Sequence, residues 1–132
     1  KQHRTKTTSR YFNYIYVRMG AHTLIHKRTE DDIWKNLFEL PLVETEKDLS
    51  EEEFLACPQF HALFAEGEVR MVRTLLRGVK HVLSHRVIYT NFYEVTLPDN
   101  SSSFSSYQRV AVEDLGRYAV PRLIHAFLEK YV

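Results

Sequence analysis

Apolar and aromatic residues fall in short runs separated by polar, turn-forming segments, a pattern of strands more than of long helices. Tyr11–Val17 is aromatic and β-branched and predicts a strand; Met19–His22, with Gly20, predicts a turn into a second strand over Thr23–Lys27, making a hairpin. Thr29–Asp32 is a charged loop, and Ile33–Leu40 predicts a turn plus a short strand that stops at Pro41. From Asp48 the pattern changes: Ser50 is a helix cap, Glu51, Glu52 and Glu53 suit the positive end of a helix dipole, and Phe54, Leu55 and Cys57 continue the apolar face until Pro58. Gln59–Glu66 continues that helix or begins another. Val69–Leu76 fits strand or helix, with strand preferred. The run from His81 to Leu97 is the strongest strand signal in the chain. After the loop Pro98–Ser103, a short strand is expected over Gln108–Val112 and a turn or short helix over Glu113–Tyr118. A terminal helix follows from Pro121 to Tyr131, with Leu123, Ile124, Phe127 and Leu128 on one face. These elements predict an α+β domain with helices packed on a curved, mixed sheet.

Composition narrows the class without changing that picture. With 132 residues, 44% hydrophobic and 13% aromatic, the chain suits one globular domain with a modest core. No apolar run reaches the roughly 18–20 residues that span a bilayer, so no membrane role is expected. A single cysteine, Cys57, excludes an internal disulfide and a four-thiolate metal or iron–sulfur site, and fits a reducing cytoplasm. Residues 1–10 are polar and basic and begin at Lys1 without a methionine. They read as a flexible linker from an upstream domain, leaving 11–132 as the folded unit.

The net charge of +1 hides an uneven distribution. Residues 1–28 hold seven cations and no acid, residues 29–68 hold twelve acids against Lys35 and Lys47, and residues 69–91 hold five cations and no acid. Two basic segments around an acidic one suit a domain with one face on phosphates, although ordinary surface charge reads the same way.

Three landmarks, in order, add a family. The segment His26–Pro41 resembles the R-P-x-x-G-L-L-x-G-L-W-E-F-P segment in the C-terminal domains of MutY-type adenine DNA glycosylases, with Arg28, Leu37, Glu39 and Pro41 matching. His81-Val-Leu-Ser-His85 resembles their H-x-F-S-H loop, and Tyr118-Ala-Val-Pro121 followed by a helix looks like their closing Y-A-x-P. The resemblance implies a Nudix-like fold that recognises 8-oxoguanine opposite adenine in double-stranded DNA, in a bacterial cytoplasm, as a monomer. It also implies that the catalytic carboxylates and the iron–sulfur cluster belong to an N-terminal glycosylase domain of the same chain, so that this part has no cofactor and no catalytic residue of its own. Carried over, Ser84 hydrogen-bonds the lesion base, His85 supports that contact, and Leu83 wedges beside it where the family has Phe. A hydroxyl that both donates and accepts suits a base edge bearing an added carbonyl oxygen and a protonated N7.

Around that loop, Lys80, His81 and Arg86 are candidates for backbone phosphates, as is Arg28, for which a surface ion pair with Glu30 or Asp31 is the other reading. Trp34 is expected in the core with Leu37 and Phe38. No metal site is expected: His22 and His26, like His81 and His85, stand four apart, roughly 13 Å on a strand. Two rival functions remain. A Nudix hydrolase of oxidised nucleotides resembles G-x5-E-x7-R-E-U-x-E-E-x-G-U, but Leu42-Val43 stands where such enzymes have glycines and no Arg precedes a paired Glu in the helix. A protein-interaction module of a repair enzyme could instead use the acidic stretch Glu44–Glu53.

Overall fold

The computed structural model describes residues 7–132. Strands β1 (Thr8–Arg18), β4 (Leu42–Thr45), β5 (Met71–Leu83) and β6 (Arg86–Thr96) form a four-stranded sheet in the order β4-β1-β6-β5. Strands β2 (His22–Lys27), β3 (Phe38–Glu39) and β7 (Gln108–Ala111) form a second, ordered β3-β2-β7. The larger sheet is mixed: β1 runs parallel to β6, and the remaining pairs are antiparallel. Helices α1 (Glu51–Ala56) and α2 (Pro58–His61), a 3-10 turn (Val112–Arg117) and α3 (Arg122–Tyr131) complete the expected α+β architecture. Among the described residues no helix is long and apolar enough to cross a membrane.

The unbroken apolar run of β1 has a simple cause: both of its faces are covered, so neither needs to alternate with polar residues. Phe12, Tyr14 and Tyr16 join Ile88, Phe92 and the α3 residues Leu123, Ile124 and Phe127 in one core layer. Ile15 and Val17 join Tyr93, Val95, Phe54 and Phe60 in the other, beneath α1 and α2. The cap of α1 follows from local sequence alone. Ser50 Oγ accepts from the Glu53 amide at 3.1 Å, and Glu53 Oε1 accepts from the Ser50 amide at 2.9 Å.

The predicted β1–β2 hairpin does not form. Met19 and His22 exchange backbone hydrogen bonds of 3.0 Å across the turn, but β2 then pairs with β3 and β7. β6 takes one edge of β1 along its whole length and β4 takes the other along Tyr11–Tyr14, and the chain changes sheets at this corner. Gly20 makes the corner possible: its φ is +59°, and a Cβ there would lie 3.0 Å from Asp99 Oδ1. The expected linker also ends earlier than residue 10. Thr8, Ser9 and Arg10 are the first rungs of β1, paired with Arg86, Val87 and Ile88 of β6; the part of that linker over residues 1–6 lies outside the described residues.

Two loops are joined by a single carboxylate. Glu68 accepts hydrogen bonds from the Ser101, Ser102 and Ser103 hydroxyls and from the Ser102 and Ser103 amides. The bonds from the Ser101 hydroxyl, then the Ser102 amide and the Ser103 hydroxyl, pull its pKa from the usual 4.5 down to about 2. A depressed folded pKa gives stability that is present above the unfolded value and disappears as pH falls through the folded one. The difference in Tm between the native chain and Glu68→Gln should therefore be full at pH 6 and shrink between pH 4.5 and 2. A difference that stays constant over that interval would show that the carboxylate does not titrate there.

Candidate functional site

Strands β5 and β6 form a long antiparallel ribbon whose turn is Ser84-His85, closed by the pairs Val82↔Val87 and Leu83↔Arg86. Its tip is braced from the side: the Thr8 amide donates to the His85 carbonyl at 3.1 Å, continuing the β1–β6 ladder to the end of the sheet. Lower down, β5 bulges between Thr74 and Val79, and the Gly78 amide, at φ +71°, donates to Asn91 Oδ1 at 2.8 Å. Ser84 and His85 stand exposed at the end of a ribbon held along its length.

The residues around them separate by face. Leu83 is half-buried and packs against the α3-side core, whereas Val82, 66% exposed, is the apolar side chain presented to solvent. The alternation of β5 toward and away from that core, visible only once the register is known, is what singles out Val82. Lys80 is exposed and pairs with Tyr89 across the ribbon. His81 is half-buried, edge-on to Trp34 with ring centroids 5.9 Å apart. Trp34 itself is half-buried at the margin of the core, edge-on to Phe12 at 5.9 Å, with a left-handed backbone at φ +57°.

Arg28 is not available to a phosphate, which corrects its reading as a backbone contact. Its side chain is only 10% exposed and donates to Glu39 Oε1 at 2.9 Å, Asp32 Oδ2 at 3.0 Å and the Ile33 carbonyl at 3.1 Å. The partners are Asp32 and Glu39 rather than Glu30 or Asp31. Glu39 lies at the bottom of this cluster, accepting also from the Tyr14 hydroxyl at 2.7 Å. Burial foremost, and then the Glu39 charge, push the Tyr14 hydroxyl well above its usual pKa. His26 Nε2 is 2.9 Å from Glu39 Oε2, but the ring is not aligned to donate.

Asp32 binds three arginines at once: Arg10 in a two-pronged pair at 2.8 and 2.9 Å, Arg28, and Arg86 at 3.3 Å. Hydrogen bonds from Arg10 foremost hold its carboxyl well below the usual range. Arg10 also grips Glu44 at 2.7 and 2.8 Å. This network ties β1, β4, the loop after β2 and the base of the hairpin into one unit. Arg86 nevertheless keeps 43% of its side chain exposed, so Arg86 and Lys80 are the tip's solvent-facing cations.

The acidic helix makes a poor cation site. Glu53 is held in the capping box, and Glu51 accepts a hydrogen bond from the Thr74 hydroxyl. Among the described residues no three His, Cys, Asp or Glu side chains converge as a metal-ligand set. The carboxylates present therefore do not fit the Mg²⁺ of a hydrolytic site.

A mixed four-stranded sheet between α1–α2 and α3, joined to a small three-stranded one, defines the class. A NUDIX domain family model matches residues 13–130, and the chain belongs to that family. Among solved structures it is similar to the C-terminal domain of mouse MUTYH, crystallised with human PCNA, at 15% identity and a TM-score of 0.66, over 92% of this chain and 86% of that one. It is similar as well to the MutT protein from Methanosarcina mazei Go1, at 17% identity and a TM-score of 0.61, over 94% and 93% of the two chains. A MutT structure from work on Aliivibrio salmonicida and Vibrio cholerae matches at 15% identity and a TM-score of 0.61, over 93% and 96%. At these identities the likeness is one of fold. No curated protein sequence matches the chain.

Proposed function

We propose that this Nudix domain reads 8-oxoguanine opposite adenine in duplex DNA, as the C-terminal domain of a MutY-type adenine glycosylase, and does not itself hydrolyse a substrate. The observation that carries the reading is the pair Ser84-His85, exposed on a braced hairpin tip between the solvent-facing Lys80 and Arg86. Phosphate contacts would set the register, and the hydroxyl would read the base edge. Val82, the exposed apolar residue at the tip, is better placed than Leu83 to press on a base step. Excision of the adenine, with any iron–sulfur cluster, belongs on this reading to an N-terminal glycosylase domain.

Hydrolysis of oxidised nucleotides is the reading to beat, because MutT structures share the fold. Against it stand the capping role of Glu53, the strand Leu42–Thr45 where a glycine loop would lie, and the absence of a converging donor set among the described residues.

The test titrates the chain with short duplexes holding 8-oxoguanine or guanine opposite adenine at low salt. Ser84→Ala with His85→Ala is expected to erase most of the preference for the lesion. Each lost hydrogen bond at such a contact costs about 1–3 kcal/mol, roughly five- to 150-fold in affinity. Lys80→Ala should instead weaken both duplexes alike and lessen the salt dependence. An unchanged preference in the double variant removes the tip from recognition, and robust turnover of 8-oxo-dGTP with Mg²⁺ replaces the proposal with the hydrolase.

A further inference from the structure

We propose that the outer edge of β5 is a docking site for an extended acidic peptide with one apolar anchor, taken up by strand addition. Its main pairing stretch, Met71–Thr74, lies at the opposite end of β5 from the lesion-reading tip.

β5 is the last strand of its sheet, so one side of its backbone has no strand partner among the described residues. An open edge of this kind offers main-chain donors and acceptors to an incoming strand. At its start the edge adjoins an apolar groove of about 550 Å³ lined by Leu55, Phe60, Phe64, Val69 and Val72. Val69 on the groove wall is exposed, and Met71, 56% exposed, precedes Val72 on the strand.

Charge selects the occupant. Residues 69–91 contain Arg70, Arg73, Arg77, Lys80 and Arg86 and no acid. Their side chains leave the strand on both faces: Arg73 meets Glu94 on the α3 side, whereas Arg77 donates to the Tyr93 hydroxyl and the Leu49 carbonyl on the α1 side. A duplex laid against one face of the sheet would meet only the cations of that face. An added strand sends its own side chains alternately to both faces, so acids along it would meet cations on each. A second copy of this strand would set like charges opposite one another, which disfavours self-pairing. The bulge between Thr74 and Val79 restricts regular pairing to Met71–Thr74, next to the groove, and to the stretch nearer the tip.

The probe is a fluorescein-labelled octapeptide of Phe followed by alternating Glu and Val, titrated into the whole chain while backbone amide spectra are recorded. Shifts are expected at Met71–Thr74 and around Phe60 and Phe64. N-methylation of alternate peptide bonds removes the probe's main-chain donors without touching the protein, and should weaken binding about tenfold or more. Arg70→Glu with Arg73→Glu should weaken it comparably, and replacing the peptide's Glu by Lys should abolish it. The proposal is overturned if the amides of 69–74 do not shift, or if the N-methylated peptide binds equally well. It is overturned as well if duplex DNA, and not the peptide, moves those same amides. In the first case the basic residues serve only to keep the edge from aggregating.

Discussion

Phe92→Ala is expected to lower the free energy of unfolding by about 3–5 kcal/mol, the range for deleting a buried phenyl ring. Phe92 is fully buried and lies parallel to Phe127 of α3, with centroids 4.1 Å apart and planes 5° from coplanar. On its other flank it stacks against Tyr14 at 5.7 Å, and Tyr14 in turn touches Phe12. The ring therefore links β1, β6 and α3, and its removal leaves a cavity among side chains held by three different elements. Domains of this size are stable by roughly 5–15 kcal/mol, so a fifth or more of the total is at stake. Urea unfolding followed by tryptophan fluorescence measures it: the midpoint should fall sharply while the slope with denaturant stays unchanged. A loss below about 1 kcal/mol would mean that the site collapses to fill the space and the stack is not what joins α3 to the sheet.

Glu39→Ala should cost a similar amount for a different reason. It leaves the Arg28 guanidinium, only 10% exposed, with one carboxylate instead of two, and strips the Tyr14 hydroxyl of its acceptor. Breaking a buried ion pair from one side typically costs about 3–5 kcal/mol, because the remaining charge stays in a poorly solvating place. The double variant Arg28→Met, Glu39→Gln removes that stranded charge and should recover much of the loss. A double variant no more stable than Glu39→Ala alone would show that the cost comes from Tyr14 or from packing. Thermal unfolding of the native chain, Arg28→Met, Glu39→Gln and the double variant closes the cycle, and amide spectra show whether the hairpin tip, tied to this network through Asp32 and Arg86, shifts with it.

How far the chain could be read in advance depends on how local each feature is. The capping of α1 needed only Ser50 and Glu53, three residues apart, and α3 needed only Pro121 and its apolar face. The run from His81 to Leu97 read as a strand signal throughout, and only the family resemblance pointed to a loop at Ser84-His85, where the structure turns from β5 into β6; the identity of β1, an aromatic and β-branched run, was legible from its own residues. The partners of those elements were not. Arg28 resembled a surface cation because its acids, Asp32 and Glu39, come from a loop and a two-residue strand whose positions are set by the fold. Trp34 resembled a core residue and packs, half-buried, against the core's margin.

The amino-acid sequence by itself determined the strands β1, β2 and β7, the capped start of α1 and the terminal helix α3, and where Gly20 and Pro58 break the chain. Those are properties of neighbours within a few positions, governed by backbone propensity and side-chain period. Tertiary structure alone decided that β1 joins β4 and β6 instead of β2, that Arg28 turns inward while Val82 turns outward, and that β5, among the described residues, pairs along one edge only. Each of these depends on which faces bury together, and burial is settled between segments far apart in the chain, where no local pattern reaches.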